Sequence, residues 1–263
     1  MSEAKVIASD LDGTLLGPDH RLTSRTIAAL RAARAAGWTV IAATGRNPTS
    51  AMPLVGPHGV IDALVGSNGA LVHDPHLDTT VHRFPIDGEH LEALFTSLDD
   101  GFPGLSYCWE FADSSAWDTG FEDVARQHED LMMHAVGPRP DGDVAVTKVM
   151  VRHADLVGRQ LADRLEPLLP APLTLGCSGV SFVEITGVGV DKSRALAHII
   201  EPLGFTAGDV IAFGDNHNDR QMLSWAGRGI AVGNAVDAAK DAADDVIGHH
   251  GDDSVAAYIE SLL

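Results

Sequence analysis

A chain of 263 residues with 45% hydrophobic content is long enough to bury a core and too apolar to remain disordered. Its 37 acidic residues against 18 basic ones give a formal charge of -19, which repels nucleic acid and anionic membranes. An anionic ligand would therefore need local positive groups or a metal ion.

Taken in chain order, residues 1–5 lead into a short apolar run, Val6-Ile7-Ala8, that ends at Asp10. It is too short for a signal peptide or a membrane span, and a cytoplasmic location is expected. Residues 23–36 place Ile27, Leu30 and Ala33 at helical spacing behind a capping Thr23 and stop at Gly37. A strand-like run over 38–43 follows, so the order strand, helix, strand predicts parallel βαβ units. The rhythm changes between about 84 and 186, where Tyr107, Trp109, Trp117 and most of the Phe residues fall among Pro and Gly breaks. This stretch is expected to be an inserted α/β domain, with helices over 89–98 and 156–168 and strands near 144–151 and 181–185. The first rhythm returns with a helix over 193–203, strands over 210–213 and 229–232, and a helix over 219–225. Cys108 and Cys177 have neither the spacing of a zinc or redox pair nor the density of a disulfide scaffold, which predicts a reducing compartment.

Three of the expected core strands end on polar residues: Asp10-Leu11-Asp12-Gly13-Thr14, Thr44-Gly45-Arg46 and Gly214-Asp215-Asn216-His217-Asn218-Asp219. In an open parallel sheet such strand ends face one crevice. There one carboxylate can attack a phosphate ester and a second can handle the proton, which divides hydrolysis into two easier steps. Clustered carboxylates repel phosphate, so a hard divalent cation is required, and Mg2+ on Asp10, Asp215 and the backbone carbonyl of Asp12 meets the need. Thr44 and Lys192 supply donors to the phosphoryl oxygens, with Lys192 at a helix start.

The ordered set Asp10-Leu11-Asp12-Gly13-Thr14-Leu15, Thr44-Gly45-Arg46, Ser67-Asn68-Gly69-Ala70, Lys192 and Gly214 to Asp219 resembles the haloacid dehalogenase superfamily. Within it, the chain resembles the Cof-like phosphatases with a large inserted cap of type C2. The resemblance covers about residues 4–83 and 187–263 and extends to Val232-Gly233-Asn234-Ala235. It implies a Rossmann-like parallel-sheet core over 1–83 and 187–263, with an α/β cap over 84–186. Carried over by position, it implies Asp10 as nucleophile and Asp12 as general acid and base. Thr44, Gly45, Lys192 and Asn218 would hold the phosphate, and Asp10, Asp12, Asp215 and Asp219 would form or support the magnesium site. Asn68, Asn234 and His217 would border phosphate or substrate. Dehalogenases lack the second aspartate, so Asp12 favours phosphoryl transfer.

The expected activity is Mg2+-dependent hydrolysis of phosphate monoesters of small metabolites by a monomer or small homo-oligomer. A sugar phosphomutase with the same chemistry and a non-catalytic phosphate sensor are the alternatives. His73, His76, His82 and His249-His250 match no helical metal motif and are expected at the surface. The same expectation covers His134, Arg139, Lys148 and Arg152, whereas Tyr107, Trp109, Phe111 and Trp117 are expected in a core.

Overall fold

The four residues Val6 to Ser9 are all buried, as a strand can be only when both faces of its sheet are covered. In the computed structural model, which describes residues 5–127, 136–141, 143–177 and 181–263, this run is the inner strand β1 (Val6–Ser9). The strands that follow before the insertion are β2 (Thr39–Ala43), β3 (Ala63–Gly66), β4 (Leu71–Asp74) and β5 (Thr79–Arg83). Within the insertion lie β6 (Leu105–Glu110), β7 (Ser115–Trp117), β8 (Lys148–His153), β9 (Thr174–Gly176) and β10 (Val183–Thr186). After it come β11 (Val210–Gly214), β12 (Arg228–Ala231) and β13 (Asp245–Val246).

The first sheet has the order β13-β12-β11-β1-β2-β3-β4-β5, and its six strands from β13 to β3 are mutually parallel. From β1 the chain builds outward through β2 and β3, then returns on the other side of β1 through β11, β12 and β13. The order reverses at β1, and the crevice beyond its carboxyl end is where such a sheet holds ligands. Helix Ser24–Ala35 begins where expected: the Thr23 hydroxyl oxygen accepts the Thr26 N–H at 3.1 Å and caps the first turn. It buries Ala29, Leu30 and Ala33.

The chain divides into two compact units, residues 1–81 with 191–263 and residues 82–190. The second unit is an antiparallel sheet in the order β7-β6-β8-β10-β9. On one face, Leu91, Leu94, Phe95 and Leu98 of helix Gly88–Gly101 and Leu161 and Leu165 of helix Gly158–Leu165 pack on Tyr107, Trp109, Val149, Val151, Val183 and Ile185. The alternate residues of the same strands form the other face, where Cys108 and Met150, with Phe182 just before β10, join Trp117 and Phe121. Glu110, Lys148 and Glu184 share that face and are buried, with Lys148 Nζ at 2.9 Å from Glu184 and 3.4 Å from Glu110.

Several residues depart from what the sequence predicts. Lys148 is not at the surface, because strand pairing sets it between two carboxylates. The strand near 144–151 begins only at Lys148, since residues before it leave the ladder after the isolated bridge Ile86–Val146. His73 is buried on β4, while His76 and His249 are exposed. The helix over 193–203 is a regular helix to Ile200 and a tighter 3-10 turn from Glu201, where Pro202 removes an N–H. His134 lies outside the described residues. Phe111 is only partly buried.

Candidate active site

Three loops in the first unit build the site, each by local rules. Beyond β1 the chain makes one wide turn, Leu11–Leu15, closed by the Leu16 N–H donating to the Leu11 carbonyl at 2.9 Å. Gly13 carries it through a left-handed φ of 78°, and a Cβ there would stand 2.6 Å from Asp215 Oδ2. Glycine is therefore what lets the Asp12 turn approach the Asp215 loop. Beyond β11 that loop folds back because Asp219 Oδ2 accepts the N–H groups of Asp215 and Asn216 at 3.0 and 2.9 Å. The third piece is the start of helix Lys192–Ile200, where the Asp191 side chain accepts the Arg194 N–H at 3.0 Å. Gly69, at φ 101°, seats the turn after β3 against this start, and any Cβ there would collide with the Asp191 carbonyl.

The Lys192 ammonium is fully buried and donates to Asp10 Oδ1 and Asp219 Oδ1, both at 2.6 Å. Burial opposes its charge, but the Asp10 and Asp219 carboxylates outweigh burial and hold the ammonium above its ordinary range. Burial pushes the Asp10 carboxyl well above its usual value; Lys192 opposes the rise, and the charges of Asp219, Asp215 and Asp12 add to it. Burial and then the Asp219 charge raise Asp215 to about 6, against the opposing pull of Lys192 and a Thr14 hydroxyl bond.

Asp10, Asp215 and Asp219 each offer an oxygen within 4.8 Å of the others. Their roles differ. Asp219 spends Oδ1 on Lys192 and Oδ2 on the loop backbone. Among the described residues, Asp10 Oδ2 has no hydrogen-bond partner, and Asp215 takes only the Thr14 hydroxyl, at 3.2 Å on Oδ1. Three carboxylates beside a single ammonium leave negative charge in excess, and all the donors are hard oxygens. That combination fits magnesium. The Asp12 carboxylate is not in this group: Arg46 and His20 hold it, so its expected part in metal binding would fall to its backbone carbonyl.

Thr44 is buried at the end of β2, and its hydroxyl oxygen accepts the Arg46 N–H at 3.1 Å, which leaves its hydrogen free to donate. Its carbonyl accepts the Asn68 N–H at 3.0 Å. Asn68 Oδ1 in turn accepts from Asn218 Nδ2 at 2.9 Å, beside Gly45. Asn218 Oδ1 is buried with no partner among the described residues, a state that buried amides rarely keep without a ligand or water. Turning over both amides would present the Asn218 NH2 instead. His217 is half-buried on the same loop and donates its N–H to Asn216 Oδ1 at 2.8 Å. Asn234 spends its amide inside the fold: Nδ2 donates to the Gly13 carbonyl at 2.8 Å, and Oδ1 accepts the His250 N–H at 3.0 Å. Sequence reasoning gave no part to Thr14, His20 or the Arg46 side chain. Thr14 and Arg46 at least stood inside the motifs, whereas His20 carried no signal.

The family model described as haloacid dehalogenase-like hydrolase matches residues 7–259. The HMP-PP phosphatase of Klebsiella pneumoniae is 33% identical over 243 residues, covering 89% of this chain and 85% of that protein. The pyridoxal phosphate phosphatase YbhA of Escherichia coli is 32% identical over 274 residues, covering 98% of each. Among solved structures, a HAD subclass IIB sugar phosphatase superposes with a TM-score of 0.82 at 24% identity, over 98% of this chain and 100% of that one. A HAD superfamily phosphatase from Bacteroides thetaiotaomicron gives 0.83 at 21% identity, over 99% and 95%.

Proposed function

This chain belongs to the haloacid dehalogenase-like hydrolase family, and from that premise we propose that it is a magnesium-dependent phosphatase of small phosphorylated metabolites. The observation that carries the reading is the buried Lys192 bridging Asp10 and Asp219 beside Asp215, in which a carboxylate nucleophile, a phosphate-side cation and an acidic metal cradle meet. The names of the two curated relatives, one acting on HMP-PP and one on pyridoxal phosphate, support the substrate class.

Asp10 attacks phosphorus and becomes an aspartyl-phosphate, which water then opens. Lys192 orients the Asp10 carboxylate and offers positive charge to the phosphoryl oxygens. Asp12 gives a proton to the leaving oxygen in the first step and takes one from water in the second. Thr44 donates its hydroxyl hydrogen, the Gly45 backbone lies close to the phosphoryl group, and Asn218 directs its unpartnered amide atom there. Asn68 and His217 border this site. Asp10, Asp215 and the Asp12 carbonyl would hold Mg2+, with Asp219 fixing the loop that carries Asp215. The ion, when bound, would offset the carboxylates and draw charge from a phosphoryl oxygen.

Phosphate release from a panel of phosphorylated metabolites and an aryl phosphate tests the reading. We expect turnover that EDTA abolishes and added magnesium restores, and that Asp10→Asn lowers below detection. Turnover that persists through chelation, or in Asp10→Asn protein free of deamidated material, would overturn it.

A further inference from the structure

The Asp12 carboxylate is gripped from two directions. Arg46 donates Nε to Oδ2 at 2.6 Å and Nη2 to Oδ1 at 2.7 Å, the two-pronged geometry that fixes the plane of a carboxylate as well as its position. His20 Nδ1 stands 3.1 Å from Oδ1, so that oxygen is shared between Arg46 and His20. These holders are unequal. The Arg46 side chain is 10% exposed. Its backbone is pinned by its own N–H bond to Thr44 Oγ1 and by the Ser67 N–H on its carbonyl at 2.8 Å. His20 is 67% exposed, on a tight turn closed by the Gly17 N–H to the Arg21 carbonyl at 2.8 Å, so its grip is the weaker. Its φ of 56° is left-handed, a conformation uncommon for a residue with a Cβ, and the turn uses it to deliver the ring to Asp12.

An ionised carboxylate has about four lone-pair sites, two on each oxygen. Among the described residues, Oδ1 meets two donors and Oδ2 meets one. An open site therefore remains on Oδ2.

We propose that Arg46, assisted by His20, is a positioning residue that aims Asp12 so that Oδ2 is the oxygen handling the proton. The inference deepens the function proposed above and rests on Asp12 being its general acid and base. In the first step the O–H bond on Oδ2 breaks toward the leaving oxygen as the ester P–O bond opens and an Asp10 oxygen bonds to phosphorus. In the second step Oδ2 takes a proton from water while the water oxygen bonds to phosphorus and the aspartyl O–P bond breaks. Inorganic phosphate leaves, and Asp10 is again a carboxylate. Lysine could supply the charge of Arg46 but not its two parallel donors.

The test reads dependence on the leaving group, which a purely structural role would not alter. Aryl phosphates of similar size, from 4-nitrophenyl to phenyl phosphate, would be compared for wild type, Arg46→Met, Arg46→Lys, His20→Asn and Asp12→Asn, with melting curves for every variant. General acid–base catalysis contributes about 10²–10⁴-fold, so Arg46→Met should lose on the order of 10–10²-fold in kcat on phenyl phosphate. It should lose much less on 4-nitrophenyl phosphate, whose leaving group needs little proton assistance, and KM should hold. Arg46→Lys should show the same bias, and His20→Asn a smaller one. Equal losses on all esters, a loss confined to KM, or no loss in a folded variant would each overturn the inference. Asp12→Asn separates the two levels: if it too lacks the leaving-group bias, the assignment of Asp12 fails; if it alone has the bias, only the role of Arg46 fails.

Discussion

Among the described residues each unit buries a lysine between two carboxylates: Lys192 between Asp10 and Asp219 in the first, Lys148 between Glu184 and Glu110 in the second. In both cases burial works against the ammonium, and the flanking acids, Asp10 first for Lys192 and Glu110 first for Lys148, reverse the effect and raise it above the ordinary lysine range. The settings differ. Glu110 lies directly opposite Lys148 in the β6–β8 ladder, and Glu184 comes from β10 on the other side of β8. Strands fix all three, with their backbones committed to pairing. The partners of Lys192 instead stand on a turn and a loop beyond strand ends, next to Asp215. A buried ion triad is thus no sign of chemistry by itself; what marks the Lys192 group is its place at the strand-order reversal, with carboxylate oxygens left open.

The two buried lysines should respond differently to substitution. Lys148→Met leaves Glu110 and Glu184 without their cation and should cost about 3–5 kcal/mol in urea denaturation, while the protein that remains folded keeps its kcat. A folded Lys148→Met protein with no turnover would make the second triad part of the chemistry. Lys192→Met should lower kcat about 10²–10³-fold, as loss of one transition-state donor does. Its stability should recover with added magnesium, because a divalent cation can replace the missing charge; the Lys148→Met loss should not respond. Equal magnesium responses in thermal melts would erase the distinction.

The smallest effect is one of pH. The folded pKa of Asp215 is raised to about 6, so its contribution to the metal-free fold is full below the usual carboxyl range and lost as pH rises through about 6. Magnesium needs the ionised form and must displace a proton below that point. Calorimetric titration should show affinity falling about tenfold per pH unit below 6, more steeply if Asp10 also releases a proton, and levelling above it. A flat profile from pH 5 to 7.5 would show that Asp215 does not release its proton to the metal.

The first unit was legible because its signals are local. Thr23 caps its helix, the 210–213 run forms an inner strand, and Asp10, Lys192 and Asp215 lie at element ends where the sheet rule gathers them. In the second unit, β6 passed unread because its apolar run Tyr107-Cys108-Trp109 is buried on both faces and has no alternation to betray a strand. Lys148 was misplaced because a lysine on a strand looks exposed until its neighbours in the ladder are known, and register depends on residues some 40 positions away. The same holds for Asn234, whose letter suits a ligand contact but whose amide braces the Gly13 turn. Arg46 was visible as a letter of its motif, yet nothing in the sequence tells a guanidinium which carboxylate to grip.

The pairing of β1 with β11 also has a consequence for how the molecule is made. Val6 meets Val210, so one side of the innermost strand stays unpaired until more than 200 residues have left the ribosome. The second unit, contiguous over 82–190, has all its strands before β11 exists, and domains form as units during synthesis. Until β11 and the loop after it exist, Asp10 lacks the neighbouring Asp215 and Asp219 carboxylates, Lys192 lacks its second partner, and β1 presents an open, mostly apolar edge of the kind that recruits other chains. Chains released early should accordingly be aggregation-prone and chemically inert, however well their middle portion has folded.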